Sequence, residues 1–152
     1  MPLVTGLNHV AVLTQDLNRF IDFYTNVFNL EVVFQESTPT FRHAILRLGA
    51  DSWLHPAQIS GNPYSIAIPD MFKRGHLDHI ALTAASHASF AIIRERLIER
   101  GASDHQVEDL GAFHSIWFED PDGMHGEVTV IVDATLRGIH EPRPLASLAL
   151  ST

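Results

Sequence analysis

Apolar positions recur along this chain with two alternating periods. From Gly6 to Leu13, GLNHVAVL alternates, so Leu7, His9, Ala11 and Leu13 share one face of a short strand. The period then lengthens. Leu17, Phe20, Ile21, Tyr24, Val27 and Phe28 fall at helical spacing behind Asp16, a good N-cap, which predicts a helix over about Leu17 to Leu30 with a broad core-facing stripe. Strand-like segments follow at Glu31 to Gln35, Phe41 to Leu48 and Trp53 to Ile59, punctuated by Pro39 and the Gly49-Ala50-Asp51-Ser52 turn. Between Gln58 and Arg74 no period is sustained, and Gly61, Pro63, Pro69 and Gly75 mark a linker that can pack over a cleft. Tyr64, Met71 and Phe72 belong to that linker, with packing as their first role and lining of the cleft as the second.

After the linker the order of elements repeats. GHLDHIAL is a strand with His79 where GLNHVAVL has His9, and a helix from about Ala88 to Arg100 turns Phe90, Ile93 and Leu97 inward, with Gly101 as its stop. The stretch Gly111 to Val132, GAFHSIWFEDPDGMHGEVTVIV, reads as a β-hairpin with its turn at Asp120-Pro121-Asp122-Gly123. Spacing ties the halves together: His9 to His79 and Phe20 to Phe90 are 70 apart, His43 to His114 is 71, and His55 to Glu127 is 72. Such a repeat implies an α+β fold of two tandem βαβββ modules whose curved mixed sheets surround a shared cleft. The expected layout is one domain over 1–152: a first module at about 5–59, a linker at 60–74, a second module at about 75–132 and a C-terminal arm at 133–152. Pro142 and Pro144 bar a continuous helix in the arm, which is expected to run extended over its own domain or a neighbouring subunit.

Composition narrows the partners. A net charge of −8, with 10 Lys and Arg and no basic cluster, argues against nucleic acid or an anionic membrane. No apolar run is long enough for a membrane span and no leader pattern is present, so the cytoplasm is the default location. The absence of cysteine removes disulfides, thiolate metal sites and a cysteine nucleophile. Ten histidines are many for this length, and His87, His105 and His140 read as surface groups. Taken alone, Glu127 fits a solvated strand edge better than a ligand, since a lone strand carboxylate usually faces water. The repeat alters that balance. It gives His9 and His79, and His55 and Glu127, equivalent places, and such groups converging in a cleft are costly to desolvate unless a divalent metal joins them.

Three pieces, GLNHVAVLTQDLNRFIDFYTNVFNLEVV, LDHIAL and SIWFEDPDGMHGEV, are similar in content and order to the pattern of the vicinal oxygen chelate superfamily, which includes glyoxalase I, the bleomycin and fosfomycin resistance proteins and the extradiol dioxygenases. The resemblance covers residues 6–132. It implies metal ligands at His9, His79 and Glu127, with the fourth ligand place falling on His55, where glyoxalase I typically has a carboxylate. Two histidines and a carboxylate suit iron(II), and a fourth ligand favours zinc, nickel or manganese, so the identity of the divalent ion stays open. Trp117 stands where extradiol enzymes have a tyrosine, and an indole cannot do the acid–base work of a phenol. His114 is the nearby candidate for catalysis, although alternation points it to the face opposite Trp117. Trp117, Trp53 and Phe113 are candidates to hold the apolar part of a substrate. The implied activity is metal-dependent dioxygenase, isomerase or lyase chemistry on a small molecule that chelates through two adjacent oxygens, in a homodimer. A metal-free drug- or metabolite-binding protein of the bleomycin-resistance kind is the alternative, and a purely structural module is a third.

Overall fold

The computed structural model describes residues 2–4, 6–65, 75–136 and 139–145, with 139–141 described for the backbone alone. The chain forms two compact units, residues 1–67 and 68–152, each with one sheet and one helix. Met71 and Phe72 lie outside the described residues, and Tyr64 is exposed.

In the first unit, β1 (His9–Leu13), α1 (Leu17–Phe28), β2 (Glu31–Ser37), β3 (Phe41–Arg47) and β4 (Trp53–Ile59) give a sheet ordered β1-β4-β3-β2. β1 runs parallel to β4, and the other pairs are antiparallel. Asp16 caps α1 by accepting from the Asn18 and Arg19 amides at 3.0 and 3.2 Å. Asn29 ends the helix with a left-handed φ of 55°, two residues before the predicted stop. Leu17, Phe20, Phe23, Tyr24 and Val27 are buried on α1, and Ala44, Leu46 and Leu54 are buried on the strands it packs against. Alternation turns Ile45, Trp53 and His55 to the other face of the sheet.

The second unit repeats this plan with β5 (Ile80–Thr83), α2 (His87–Glu99), β6 (Glu108–Gly111), β7 (Phe113–Glu119) and β8 (His125–Ile131). It adds β9 (Ile139–Pro144), giving the order β5-β8-β7-β6-β9. The arm expected from the prolines is therefore, over 139–144, a strand antiparallel to β6. Ser86 caps α2 through the Ser89 amide, and Gly101 stops it with a φ of 64°. In the β7–β8 turn, Asp120 Oδ1 accepts from the Asp122 and Met124 amides, both at 2.9 Å, and Gly123 takes a φ of 82°. Ile116, Phe118, Val128 and Val130 form the buried face of this hairpin. No helix among the described residues is long and apolar enough to cross a membrane.

Candidate functional site

Strand register decides which residues of the two halves correspond. Across the parallel pairs, Ala11 faces His55 and Ala81 faces Glu127. His9 and His79 each sit two residues before those alanines, so both pairs of candidate ligands occupy matched positions. Carrying the register one strand further, His43 pairs with Ala57 and Ser115 pairs with Thr129. The counterpart of His43 is thus Ser115, 72 residues on, and not His114 as the histidine spacing suggests.

In the second unit, His79 Nε2 and Glu127 Oε2 face each other at 3.6 Å. Each has its other polar atom tied down. Asp78 Oδ2 accepts from His79 Nδ1 at 2.9 Å, and Ser115 Oγ donates to Glu127 Oε1 at 2.5 Å. The Asp78 bond puts a proton on Nδ1 and turns Nε2 towards the carboxylate oxygen, so that a neutral ring offers its lone pair there. Glu127 is 7% exposed and Ser115 fully buried, so the solvated-edge expectation for Glu127 does not hold. The Trp117 ring meets His79 edge-on, with centroids 4.7 Å apart, and its Nε1 donates to Glu108 Oε2 at 3.3 Å.

In the first unit, His9 Nδ1 donates to Asn8 Oδ1 at 2.8 Å, which again leaves an Nε2 lone pair. The His9 and His55 rings lie 5.8 Å apart at centroids. His55 Nε2 is 3.0 Å from His43 Nδ1, and His43 Nε2 is 3.0 Å from Glu36 Oε2. Burial, and after it the nearby His43 and His9, holds the pKa of His55 below the ordinary 6.5. Such a ring stays neutral, as a ligand must.

The four candidate ligands thus stand as two pairs, one in each unit, and no group of three or more such side chains gathers around one point among the described residues. Imidazole nitrogen and carboxylate oxygen with free lone pairs are a donor set that fits a divalent ion. Trp53 shares a sheet face with His55, and Phe113 shares one with Ser115 and Trp117. His114 falls on the opposite face, with buried Ile116 and Phe118, which takes the one catalytic candidate of the sequence away from His79 and Glu127. Sequence reasoning passed over Asn8, Asp78, Ser115 and Glu36. The first two had a signal, since a short polar acceptor precedes each first-strand histidine at the same 70-residue spacing.

A sequence model of the Glyoxalase/Bleomycin resistance protein/Dioxygenase superfamily matches residues 6–128. Among solved structures, a glyoxylase/bleomycin resistance protein/dioxygenase domain from Frankia sp. EAN1pec superposes with a TM-score of 0.73 at 20% identity, over 86% of this chain and 95% of that one. The fosfomycin resistance protein FosX from Listeria monocytogenes, complexed with Mn(II) and sulfate, gives 0.62 at 20% identity, over 84% and 93%. A glyoxalase family protein from Enterococcus faecalis gives 0.62 at 22%, over 82% and 96%. Comparison with curated proteins gave no match. At these identities the structural likenesses speak for the fold.

Proposed function

Since the chain belongs to the glyoxalase/bleomycin resistance protein/dioxygenase superfamily, we propose that it is a metal-dependent enzyme acting on a small substrate with two adjacent oxygens. His9, His79 and Glu127 are its metal ligands, and His55 is the fourth. One observation carries this reading: His9, His79 and Glu127 each have one polar atom anchored by a neighbour, and the remaining atoms of His79 and Glu127, Nε2 and Oε2, face each other at 3.6 Å, beyond a hydrogen bond. A core histidine would be expected to spend both nitrogens on the protein. The Mn(II) complex of FosX, on the same fold, is in keeping with a divalent ion.

A bound ion would supply Lewis-acid polarisation of the substrate oxygens. The chain's own contribution is placement. Asn8 and Asp78 hold the two first-strand imidazoles in the tautomer that offers Nε2, and Ser115 turns Glu127 so that Oε2 is presented. Trp117 screens His79 from one side, and with Trp53 and Phe113 it is proposed to bind the apolar part of the substrate. Whether the chemistry is that of a dioxygenase, an isomerase or a lyase follows from the substrate.

The test is elemental analysis of protein purified without chelator, followed by titration of iron(II), manganese, nickel and zinc into the apo form. Uptake of one of these ions, lost in the triple variant His9→Ala, His79→Ala, Glu127→Ala, supports the reading. A wild type that binds none of them, or a triple variant that binds equally, replaces it with a metal-free binding protein. We also propose a homodimer, because Leu13, Val33, Phe34 and Ile59 leave apolar surface on the first sheet. Light scattering at the mass of one chain, 16.9 kDa, contradicts this.

A further inference from the structure

We propose that Glu36 and His43 are positioning residues that fix the tautomer of His55 and so make it a metal ligand through Nδ1. The proposal rests on the reading of His55 as a ligand. It starts from strand pairing: Glu36 on β2 is the cross-strand partner of His43 on β3, and β3 lies beside β4, which carries His55. The three side chains form a line, Glu36 Oε2 to His43 Nε2 at 3.0 Å and His43 Nδ1 to His55 Nε2 at 3.0 Å. The rings of Phe34 and Phe41, with centroids 5.5 and 4.8 Å from that of His43, hold the middle imidazole in place.

Donor and acceptor rules set the direction of the line. A carboxylate only accepts, so a neutral His43 carries its proton on Nε2 and a lone pair on Nδ1. That lone pair accepts, so His55 donates from Nε2. The second nitrogen of His55, Nδ1, is then left unprotonated, which is the form a metal requires. The competing arrangement has both His43 nitrogens protonated and donating, with the His55 proton on Nδ1, and it blocks ligation there. Register gives the device its meaning. His43 holds the place that Ser115 holds in the other half, and Ser115 anchors one oxygen of Glu127. Serine suffices beside a carboxylate, which offers two equivalent oxygens. An imidazole has two unlike nitrogens, and the relay to Glu36 decides between them.

Two measurements test this. In apo protein labelled with ¹⁵N-histidine, long-range ¹H–¹⁵N spectra should show His43 and His55 both protonated at Nε2 alone, with a scalar coupling across the His55 Nε2–His43 Nδ1 bond. A His55 protonated at Nδ1 overturns the proposal without any metal being added. In calorimetric titration of Mn²⁺ and Zn²⁺ into apo protein, His43→Phe should weaken binding about 10–100-fold, the usual loss on removing an orienting partner. His43→Asn, whose Oδ1 replaces the Nδ1 acceptor, should recover most of it, and Glu36→Ala should cost several-fold at a half-exposed position where folding is not at stake. Wild type that binds none of iron(II), manganese, nickel and zinc defeats the metal reading itself, and where it binds only iron(II) or nickel the variants are compared with that ion. Wild type that binds, alongside His43→Phe and Glu36→Ala variants that bind equally well, defeats the relay alone.

Discussion

Replacing Gly126 with alanine probes how tightly the strand carrying Glu127 is packed. Gly126 is the direct cross-strand partner of Phe118, and a Cβ placed on it would stand 2.1 Å from Cζ, 2.4 Å from Cε1 and 2.8 Å from Cε2 of that ring. The position needs the missing side chain and not an unusual backbone angle, because Gly126 is absent from the residues with positive φ. Carbon atoms rest at about 3.5–4.0 Å, so the ring must withdraw by roughly 1.5 Å. It has little space to do so: Phe118 is 3% exposed, and Ile116 and Val128 on the same face are fully buried. Overpacking of this kind costs about 1–3 kcal/mol, and a chain of this size loses about 2–4 °C in Tm per kcal/mol. Gly126→Ala should therefore lower Tm by about 2–12 °C in circular dichroism melts. Phe118→Leu should destabilise when alone yet suppress the alanine in the double variant, with a coupling of about 1 kcal/mol or more. An unchanged Tm for Gly126→Ala, or simple additivity in the double variant, would refute the steric account.

Ser115→Ala leaves a buried carboxylate short of a hydrogen bond, a loss of about 1.5–3 kcal/mol, and urea unfolding should show it together with weaker metal binding; an unaltered midpoint would mean that the bond contributes nothing. The depressed pKa of His55 makes the unfolded chain bind more protons just below pH 6.5. Its contribution to stability is accordingly lost as pH falls from about 6.5 towards the folded pKa, and His55→Phe should flatten that part of the stability–pH curve. A slope identical in both proteins would count against it. Trp117 touches His79, so Ni²⁺ should quench the fluorescence of Trp53→Phe, which keeps Trp117, more than that of Trp117→Phe; equal quenching would separate Trp117 from the metal.

Much of the fold could be read from periodicity because burial imposes it. The stripe from Leu17 to Val27 is the direct outcome of one helix face being packed, whereas around Glu127 both faces of β8 are buried and no alternation of burial marks the strand. Two features escaped. Pro142 and Pro144 read as barring a helix and leaving an extended arm, and what the pattern did not show is that this arm joins the second sheet as β9, which among the described residues pairs along one side only and so tolerates the prolines. The offset of 71 between His43 and His114 looked like drift, whereas register shows 70 through the helices and 72 in the hairpin. The two extra residues enter between the helix and the hairpin: α1 begins at Leu17 and β3 at Phe41, whereas α2 begins at His87 and β7 at Phe113. The histidines and Glu127 were visible as ligand types at matched places. Their anchors Ser115 and Glu36 were not, because a serine or a glutamate on a strand has no pattern until its cross-strand neighbour is known.

The ninth strand bears on how the protein avoids sticking to itself. A terminal strand offers unpaired amides and carbonyls to any other chain, and the two halves end differently on the side away from their first strands. β6 is covered by β9, whose Pro142 and Pro144 have no amide hydrogen to give a further strand. Among the described residues β2 has no such cover, but its register breaks between Val32 and Phe34 and it carries Glu31 and Glu36, which make it a poor template. One duplicated plan has thus acquired two separate barriers to strand addition. Because Glu36 also holds His43, the barrier on β2 and the setting of His55 draw on the same carboxylate.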